Sequence, residues 1–145
     1  MNDAHQLFKQ TLQDTGNSFT ATRQLVFETL LSQGPHSMAE LVSACASKAD
    51  RASIYRTITL FETLGITQRL QTGWKYRIEL SDRFQPHHHH MYCVGCSSTI
   101  ELPEDKALES QLKRLADSQS FKPIDHQIEI RGLCHSCGEA GVHIT

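Results

Sequence analysis

The sequence lacks the marks of several functional classes. Its 145 residues contain no apolar run as long as a membrane span. Its first residues lack the basic and then apolar pattern of a secretion signal. No His-Glu-x-x-His motif and no nucleophile elbow occurs, so the common marks of zinc hydrolases and serine hydrolases are missing. We therefore expect a cytoplasmic protein that is neither membrane-bound nor an enzyme acting on a small-molecule substrate.

The chain also lacks an excess of positive charge. Its formal net charge is -2 when histidine is counted as neutral. Binding of a nucleic acid would therefore depend on a local basic surface or on dimerisation, not on overall charge. A hydrophobic content of 39% and a charged content of 21% are typical of a globular protein. The length suits one ordinary domain or two small ones.

The cysteines fall into a pattern that favours a metal site. Thiols stay reduced in the cytoplasm, so the five cysteines argue against a disulfide framework. Four of them form two Cys-x-x-Cys pairs, Cys93 with Cys96 and Cys134 with Cys137, and Cys45 stands alone. Two such pairs complete a tetrahedral shell with no open position, which predicts a structural zinc site. The alternatives are a redox pair or unrelated buried cysteines.

Four consecutive histidines, His87 to His90, directly precede the first cysteine pair. Side chains alternate between the two sides of a strand, so His88 and His90 would face one side and His87 and His89 the other. The run could therefore serve two different metal sites, and the alternative is a solvated polar tract. Further single candidate ligands are His36, Glu79, Glu101, Glu104, Glu109 and His126.

The first half of the chain predicts helices followed by a hairpin. Apolar residues at helical spacing are followed by two alternating segments, which are typical of strands. Three helices followed by a two-stranded hairpin form a winged helix-turn-helix, in which the fourth helix of this chain would recognise DNA. Four helices are predicted: the first over 5–15, the second after Thr20 as its N-cap, the third after Ser37, which forms a capping box with Glu40, and the fourth over 52–64, ended by Gly65. The two strands are predicted over 66–70 and 74–78, joined by a turn at Gln71-Thr72-Gly73.

The second half predicts a small β-β-α-β unit, with strands over 89–94, 98–101 and 125–132 and a helix over 103–118. Such a unit has little core of its own, and a metal clip and a dimer partner are two ways to compensate. We expect an α+β chain with an N-terminal winged helix-turn-helix and a small α/β dimerisation domain that carries a four-cysteine zinc site. The expected boundaries are 1–80 for the DNA-binding domain, 81–86 for a linker and 87–145 for the dimerisation and metal-binding domain.

The fourth predicted helix carries side chains suited to DNA. Tyrosine and arginine on its exposed side fit contacts to base edges and phosphates. The alternative is that they are ordinary exposed helix residues. The predicted DNA-binding residues are Arg51, Ser53, Tyr55, Arg56 and Thr59.

Together these motifs resemble the ferric uptake regulator family, which also includes zinc-sensing and peroxide-sensing members. The resemblance rests on the motifs over 20–23, 53–57, 64–66, 87–96, 125–126 and 132–137. It implies a homodimer that binds a palindromic double-stranded DNA operator when loaded with a divalent metal, usually as a repressor. A peroxide sensor of the same family is an alternative, and a zinc hydrolase or a metal store are the rivals outside it.

The resemblance also implies three ligand sets. The structural zinc falls on Cys93, Cys96, Cys134 and Cys137, and the regulatory ion on His36, His88, His90 and Glu101. Family members usually add a ligand from the end of the wing, where Glu79 is the candidate although one alignment places Arg77 there. A possible third site takes His87, His89, His126 and either Glu109, which we prefer, or Glu104. Nitrogen and oxygen ligands suit Fe²⁺, Zn²⁺ and Mn²⁺ alike as the regulatory ion.

Overall fold

Four helices begin the chain in the computed structural model, which describes residues 3–72 and 75–144. They are α1 (Asp3–Asp14), α2 (Ala21–Gln33), α3 (Met38–Cys45) and α4 (Arg51–Thr63). With the following hairpin they form the first of two compact units, Met1–Pro86 and His87–Thr145. None of the helices in the described residues is long and apolar enough to cross a membrane.

The predicted helix boundaries are set by local hydrogen bonds. The Thr20 side chain accepts a hydrogen bond from the Arg23 amide at 3.3 Å, as expected of an N-cap. Ser37 and Glu40 form the predicted capping box, with distances of 3.1 and 2.9 Å. Gly65 ends α4 with a φ of +68°, a conformation that L side chains rarely adopt. These contacts explain why short-range patterns located the helices of this unit.

The core of the first unit is aromatic at its centre. Phe8 and Phe27 stack with ring centroids 4.1 Å apart, and Phe61 meets Phe8 edge-on at 5.5 Å. Phe84 packs edge-on against Phe27 at 5.4 Å and is itself buried. The segment 81–86, predicted as a linker, therefore contributes a side chain to this core.

The hairpin pairs β1 (Thr67–Thr72) with β2 (Lys75–Leu80) in antiparallel register. Gln71 and Thr72, predicted in the turn, belong instead to β1, because their backbone continues the pairing with β2, and β2 runs past the predicted end at Ile78 to Leu80. Gly73 of the predicted turn and Trp74 of the predicted second strand lie outside the described residues. A third segment joins the hairpin through His36, whose amide and carbonyl pair with Ile78 at 2.9 and 2.7 Å. We call β1 and β2 the wing.

The second unit follows the predicted β-β-α-β order and adds a short helix. Its elements are β3 (His88–Cys93), β4 (Thr99–Pro103), α5 (Lys106–Ser118), β5 (Glu129–Gly132) and α6 (His135–Glu139). Strand β3 is central, antiparallel to β4 and parallel to β5. Helix α5 starts later than the predicted 103, because Pro103 belongs to β4 and Asp105 provides the N-cap. Strand β5 is also shorter than the predicted 125–132.

Little of the second unit is buried. Among its described residues, only His89, His90 and Cys93 are classed as buried, and α5 has no buried residue. Leu115 on α5 is 56% exposed and Ile130 on β5 is 51% exposed. Apolar burial within this unit is therefore small, and its buried groups are mostly potential metal ligands.

Candidate metal centres and nucleic-acid interface

The central strand β3 separates the histidine run into two pairs. The rings of His88 and His90 lie 4.6 Å apart between centroids, and those of His87 and His89 lie 4.7 Å apart. This is the alternation expected of an extended chain. The strand ends in Cys93, so side chains of this one strand belong to three different groups of potential ligands.

The four paired cysteines lie together at the end of β3 and the start of α6. Their four Sγ atoms all lie within 4.8 Å of one another, and Cys96 Sγ lies 3.8 Å from Cys134 Sγ. In a tetrahedron with zinc–sulfur bonds of about 2.3 Å, neighbouring sulfurs are about 3.8 Å apart. All four are free thiols, not disulfides. Their spacing therefore fits a tetrahedral ion.

The pKa values of these thiols are shifted in a way that favours a bound cation. A hydrogen bond from the Cys134 amide to Cys93 Sγ, 3.2 Å long, is the main cause that lowers the pKa of Cys93 to about 6. Cys137 shows the opposite effect, because its interactions with Cys134 and then Cys93 raise its pKa to about 12. Cys93 therefore loses its proton readily, whereas deprotonation of Cys137 next to the other sulfurs is disfavoured. A dication among the four sulfurs would stabilise the fully deprotonated set.

Gly95 provides space for this cluster. A Cβ atom at this position would lie 2.9 Å from Cys137 Sγ and 3.2 Å from Leu133 Cδ2. We predict that Gly95→Ala displaces Cys137, weakens zinc binding and destabilises the second unit by about 1–3 kcal/mol, the usual effect of overpacking. Competition with a coloured chelator measures the zinc affinity.

The control for Gly95→Ala is Gly138→Ala. Gly138 follows Cys137 in α6, and a Cβ atom there would meet nothing within 4 Å. This variant should bind zinc like the original chain. Equal zinc affinity of the two variants would contradict the proposed role of Gly95.

A second cluster joins His87, His89, His126 and Glu109. Glu109 Oε1 lies 2.7 Å from His89 Nε2, and Glu109 Oε2 lies 2.9 Å from His126 Nε2. His87 Nε2 is 3.1 Å from His126 Nε2. Two ligand atoms about 2.1 Å from one ion are about 3.0 to 3.4 Å apart, so a shift of a few tenths of an ångström would admit an ion. Glu109 rather than Glu104 completes this group.

The charge of Glu109 suits its position. Burial alone would raise its pKa, but the hydrogen bond with His89 and the charges of His126 and His87 lower the pKa overall. The carboxylate is therefore the ionised partner of three imidazoles. That donor set, three nitrogens and one carboxylate, fits zinc, iron or manganese.

The five residues predicted for the regulatory ion are divided between the two units. In the second unit, His88 Nε2 lies 4.0 Å from Glu101 Oε1, and His90 faces Glu101 across the β3–β4 pair. In the first unit, His36 Nδ1 lies 2.8 Å from the Gly34 carbonyl, which leaves Nε2 as the available ligand atom. Glu79 is buried and accepts a hydrogen bond from Gln68 at 2.8 Å.

Arg77 has a partner that the sequence did not reveal. Its guanidinium donates to Glu40 at 2.6 Å and to the Pro35 carbonyl at 3.1 Å. A guanidinium has no acceptor atom and stays protonated, so Arg77 contributes no metal ligand. Of the two residues considered for the end of the wing, Glu79 is therefore the chemically suitable one.

Helix α4 presents the predicted DNA-binding residues. Tyr55 is 40% exposed, Arg51 Nη2 donates to its hydroxyl at 3.3 Å, and the Arg51 guanidinium lies 5.3 Å from its ring centroid. Arg56 donates to Ser53 Oγ at 3.3 Å, and Thr59 is exposed. The opposite side of α4 is buried. Sequence reasoning missed Asp50, the N-cap, whose carboxylate accepts from the Ser53 amide at 2.8 Å.

A match to a known protein family shows to which family this chain belongs. Residues 14–131 match the model of the ferric uptake regulator family. The chain belongs to the ferric uptake regulator family. The resemblance seen in the sequence motifs is thereby confirmed, as is the α+β fold. The chain is a metal-responsive transcriptional regulator and not an enzyme.

Individual family members are similar to this chain over most of their length. A ferric uptake regulation protein of Legionella pneumophila is 33% identical over 134 residues, which are 88% of this chain and 96% of the relative. The crystal structure of the Vibrio cholerae ferric uptake regulator superposes with a TM-score of 0.70 at 29% identity, covering 87% of this chain and 98% of that one. The Francisella tularensis regulator, solved with iron, gives 0.69 at 25% identity, covering 85% and 96%.

Proposed function

We propose that the chain is a dimeric repressor that binds a palindromic DNA operator through α4 when Fe²⁺, Mn²⁺ or Zn²⁺ is bound at its regulatory site. The observation that carries this proposal is the alternation of histidines along β3, which assigns neighbouring residues to different donor groups. The iron in the similar Francisella tularensis regulator supports a transition-metal signal. A cytoplasmic location follows from such a role in transcription.

The proposed metal sites have different tasks. The four thiolates Cys93, Cys96, Cys134 and Cys137 would hold zinc with no open position, so that ion stabilises the fold. The regulatory residues His36, Glu79, His88, His90 and Glu101 come from both units. An ion that binds all of them would favour one arrangement of the two units over others, which is how binding energy becomes a change in DNA affinity. The third set, with Glu109, would bind an additional ion.

A second copy of the chain is the proposed partner of the second unit. Four of the exposed apolar side chains there lie on β4, α5 and β5, with Ile100 44%, Leu108 38%, Leu115 56% and Ile130 51% exposed. Covering them would supply the apolar burial that the unit lacks. A two-fold dimer would also present two α4 helices to a palindromic site, which matches protein symmetry to DNA symmetry.

Replacing Arg56 tests the role of α4. We expect Arg56→Ala to weaken operator binding by about 5- to 150-fold, because a good base or phosphate contact contributes about 1–3 kcal/mol. Fluorescence anisotropy with a labelled duplex measures the effect. The duplex is one enriched from a random pool by the Mn²⁺-loaded original protein.

Arg114→Ala is the charge-matched control for this experiment. Arg114 is an exposed arginine on α5, where it contacts Gln111. Its loss removes the same charge without touching α4. If both variants lost the same affinity, the effect would be one of net charge, and α4 would have no special role.

A further inference from the structure

The side of the wing that faces the helices changes character along its length. Near the base, Ile78 and Leu80 are fully buried in the core of the first unit. Level with Ile78 the same side carries Arg69, its direct register partner, and one step nearer the tip it carries Tyr76, paired with Gln71. Directly paired residues share one side of a two-stranded sheet. A charged and an aromatic residue therefore lie beside Ile78, at the edge of the aliphatic core.

Arg69 connects both strands of the wing to α4. Its Nε and Nη2 atoms donate to the two carboxylate oxygens of Glu62, at 2.7 and 3.2 Å. Its guanidinium also lies over the Tyr76 ring, 4.2 Å from the centroid. Glu62 belongs to α4, Arg69 to β1 and Tyr76 to β2. We call these three residues the wing clamp.

The chemistry of the wing clamp favours orientation over stability. The Arg69 and Glu62 side chains are 54% and 27% exposed, and exposed ion pairs contribute little to folding. However, a two-point arginine–carboxylate contact is directional, and stacking on a ring restrains the remaining tilt of the guanidinium. A lysine would supply the charge without either restraint. Such a contact defines an angle between two elements more than it holds them together.

We propose that the wing clamp of Glu62, Arg69 and Tyr76 fixes the angle between the wing and α4 and thereby positions the wing on DNA. The inference rests on the proposed function, in which α4 contacts the operator. Glu62 lies on the same helix as Tyr55 and Arg56, so the clamp relates the wing directly to the DNA-reading residues. Glu62, Arg69 and Tyr76 are positioning residues in this view.

The variant Glu62→Gln gives the sharpest test. It removes a negative charge, so electrostatics alone would tighten DNA binding. The clamp predicts the opposite, an affinity about fivefold weaker, which is the upper range for losing one exposed ion pair. Glu28→Gln is the matched control, because Glu28 is a part-exposed carboxylate of the same unit on α2 and pairs with His5. The measurement uses the full-length, Mn²⁺-loaded protein and the selected duplex.

Further variants separate positioning from folding. Arg69→Lys should weaken binding as Glu62→Gln does, and Tyr76→Phe should bind normally because it keeps the ring. A double-mutant cycle of Glu62→Gln and Arg69→Gln should show coupling in operator affinity while the melting temperatures stay close to the original. Equal operator affinities of the Glu62→Gln and Glu28→Gln variants would overturn the proposed role of the wing clamp. A loss of operator affinity that parallels a loss of thermal stability would also overturn it. If Arg56→Ala weakens binding while Glu62→Gln does not, the clamp fails and the proposed function stands.

Discussion

Cys93→Ser is expected to remove the structural zinc and to unfold the second unit. Cys93 is 3% exposed, and it is one of three buried residues among those described in this unit. With so little apolar burial, metal binding must supply much of the folding free energy. Structural zinc sites in small domains contribute on the order of 10 kcal/mol. Loss of one thiolate should therefore abolish the cooperative unfolding transition of this unit.

Two measurements check this expectation. Elemental analysis should find one zinc fewer per chain, and thermal unfolding should lose the transition of the second unit. Much of the helical circular dichroism should remain, because α1 to α4 belong to the first unit. Cys45→Ala is the control, since Cys45 is buried in the core of the first unit, far in sequence from both pairs. A Cys93→Ser protein with its full zinc content would contradict the assignment.

His90→Ala is expected to abolish the metal response of DNA binding while the structural zinc stays bound. His90 is buried, and it pairs with His88 on one side of β3 and faces Glu101 on β4. Loss of residues that merely orient a ligand weakens metal binding about 10- to 100-fold, so loss of a ligand should exceed that range. Operator affinity in the presence of Mn²⁺ should then fall to the metal-free value.

Two further histidine variants control for this result. His143→Ala removes an exposed histidine that belongs to none of the three donor clusters, and it should respond to metal normally. His89→Ala changes the opposite side of the same strand, where the partner is Glu109. It should lower the number of bound ions without abolishing the metal response. Loss of the response in His89→Ala and its retention in His90→Ala would reverse the assignment of the two sides.

Short-range patterns explain how much of this molecule the sequence predicts. A helix is specified by spacing and by caps within a few residues, as for Thr20 and the Ser37–Glu40 box. The same holds for the histidine run, because strand alternation alone separates His88 and His90 from their neighbours. The cysteine pairs are equally local, and their meeting requires only that two pairs serve one ion.

The rest depends on contacts between distant residues, which no local pattern records. Whether Glu104 or Glu109 joins the histidines depends on where α5 begins, and Asp105 sets that start as its N-cap. Arg77 meets Glu40 from a different element, so its pairing is invisible in the wing sequence. Packing of Phe84 against Phe27 likewise places part of the segment 81–86 in the first core.

We expect a divalent ion at the proposed regulatory site to control binding to the operator while the four-cysteine zinc stays in place. The direct measurement is a titration of operator affinity with Mn²⁺ and its reversal by a mild chelator, with the zinc content followed in the same samples. Couplings of this kind change affinity by about 5- to 150-fold. We predict a gain in that range that is lost on chelation and restored by added metal. Operator binding that survives removal of the regulatory ion at constant zinc content would contradict metal control of DNA binding.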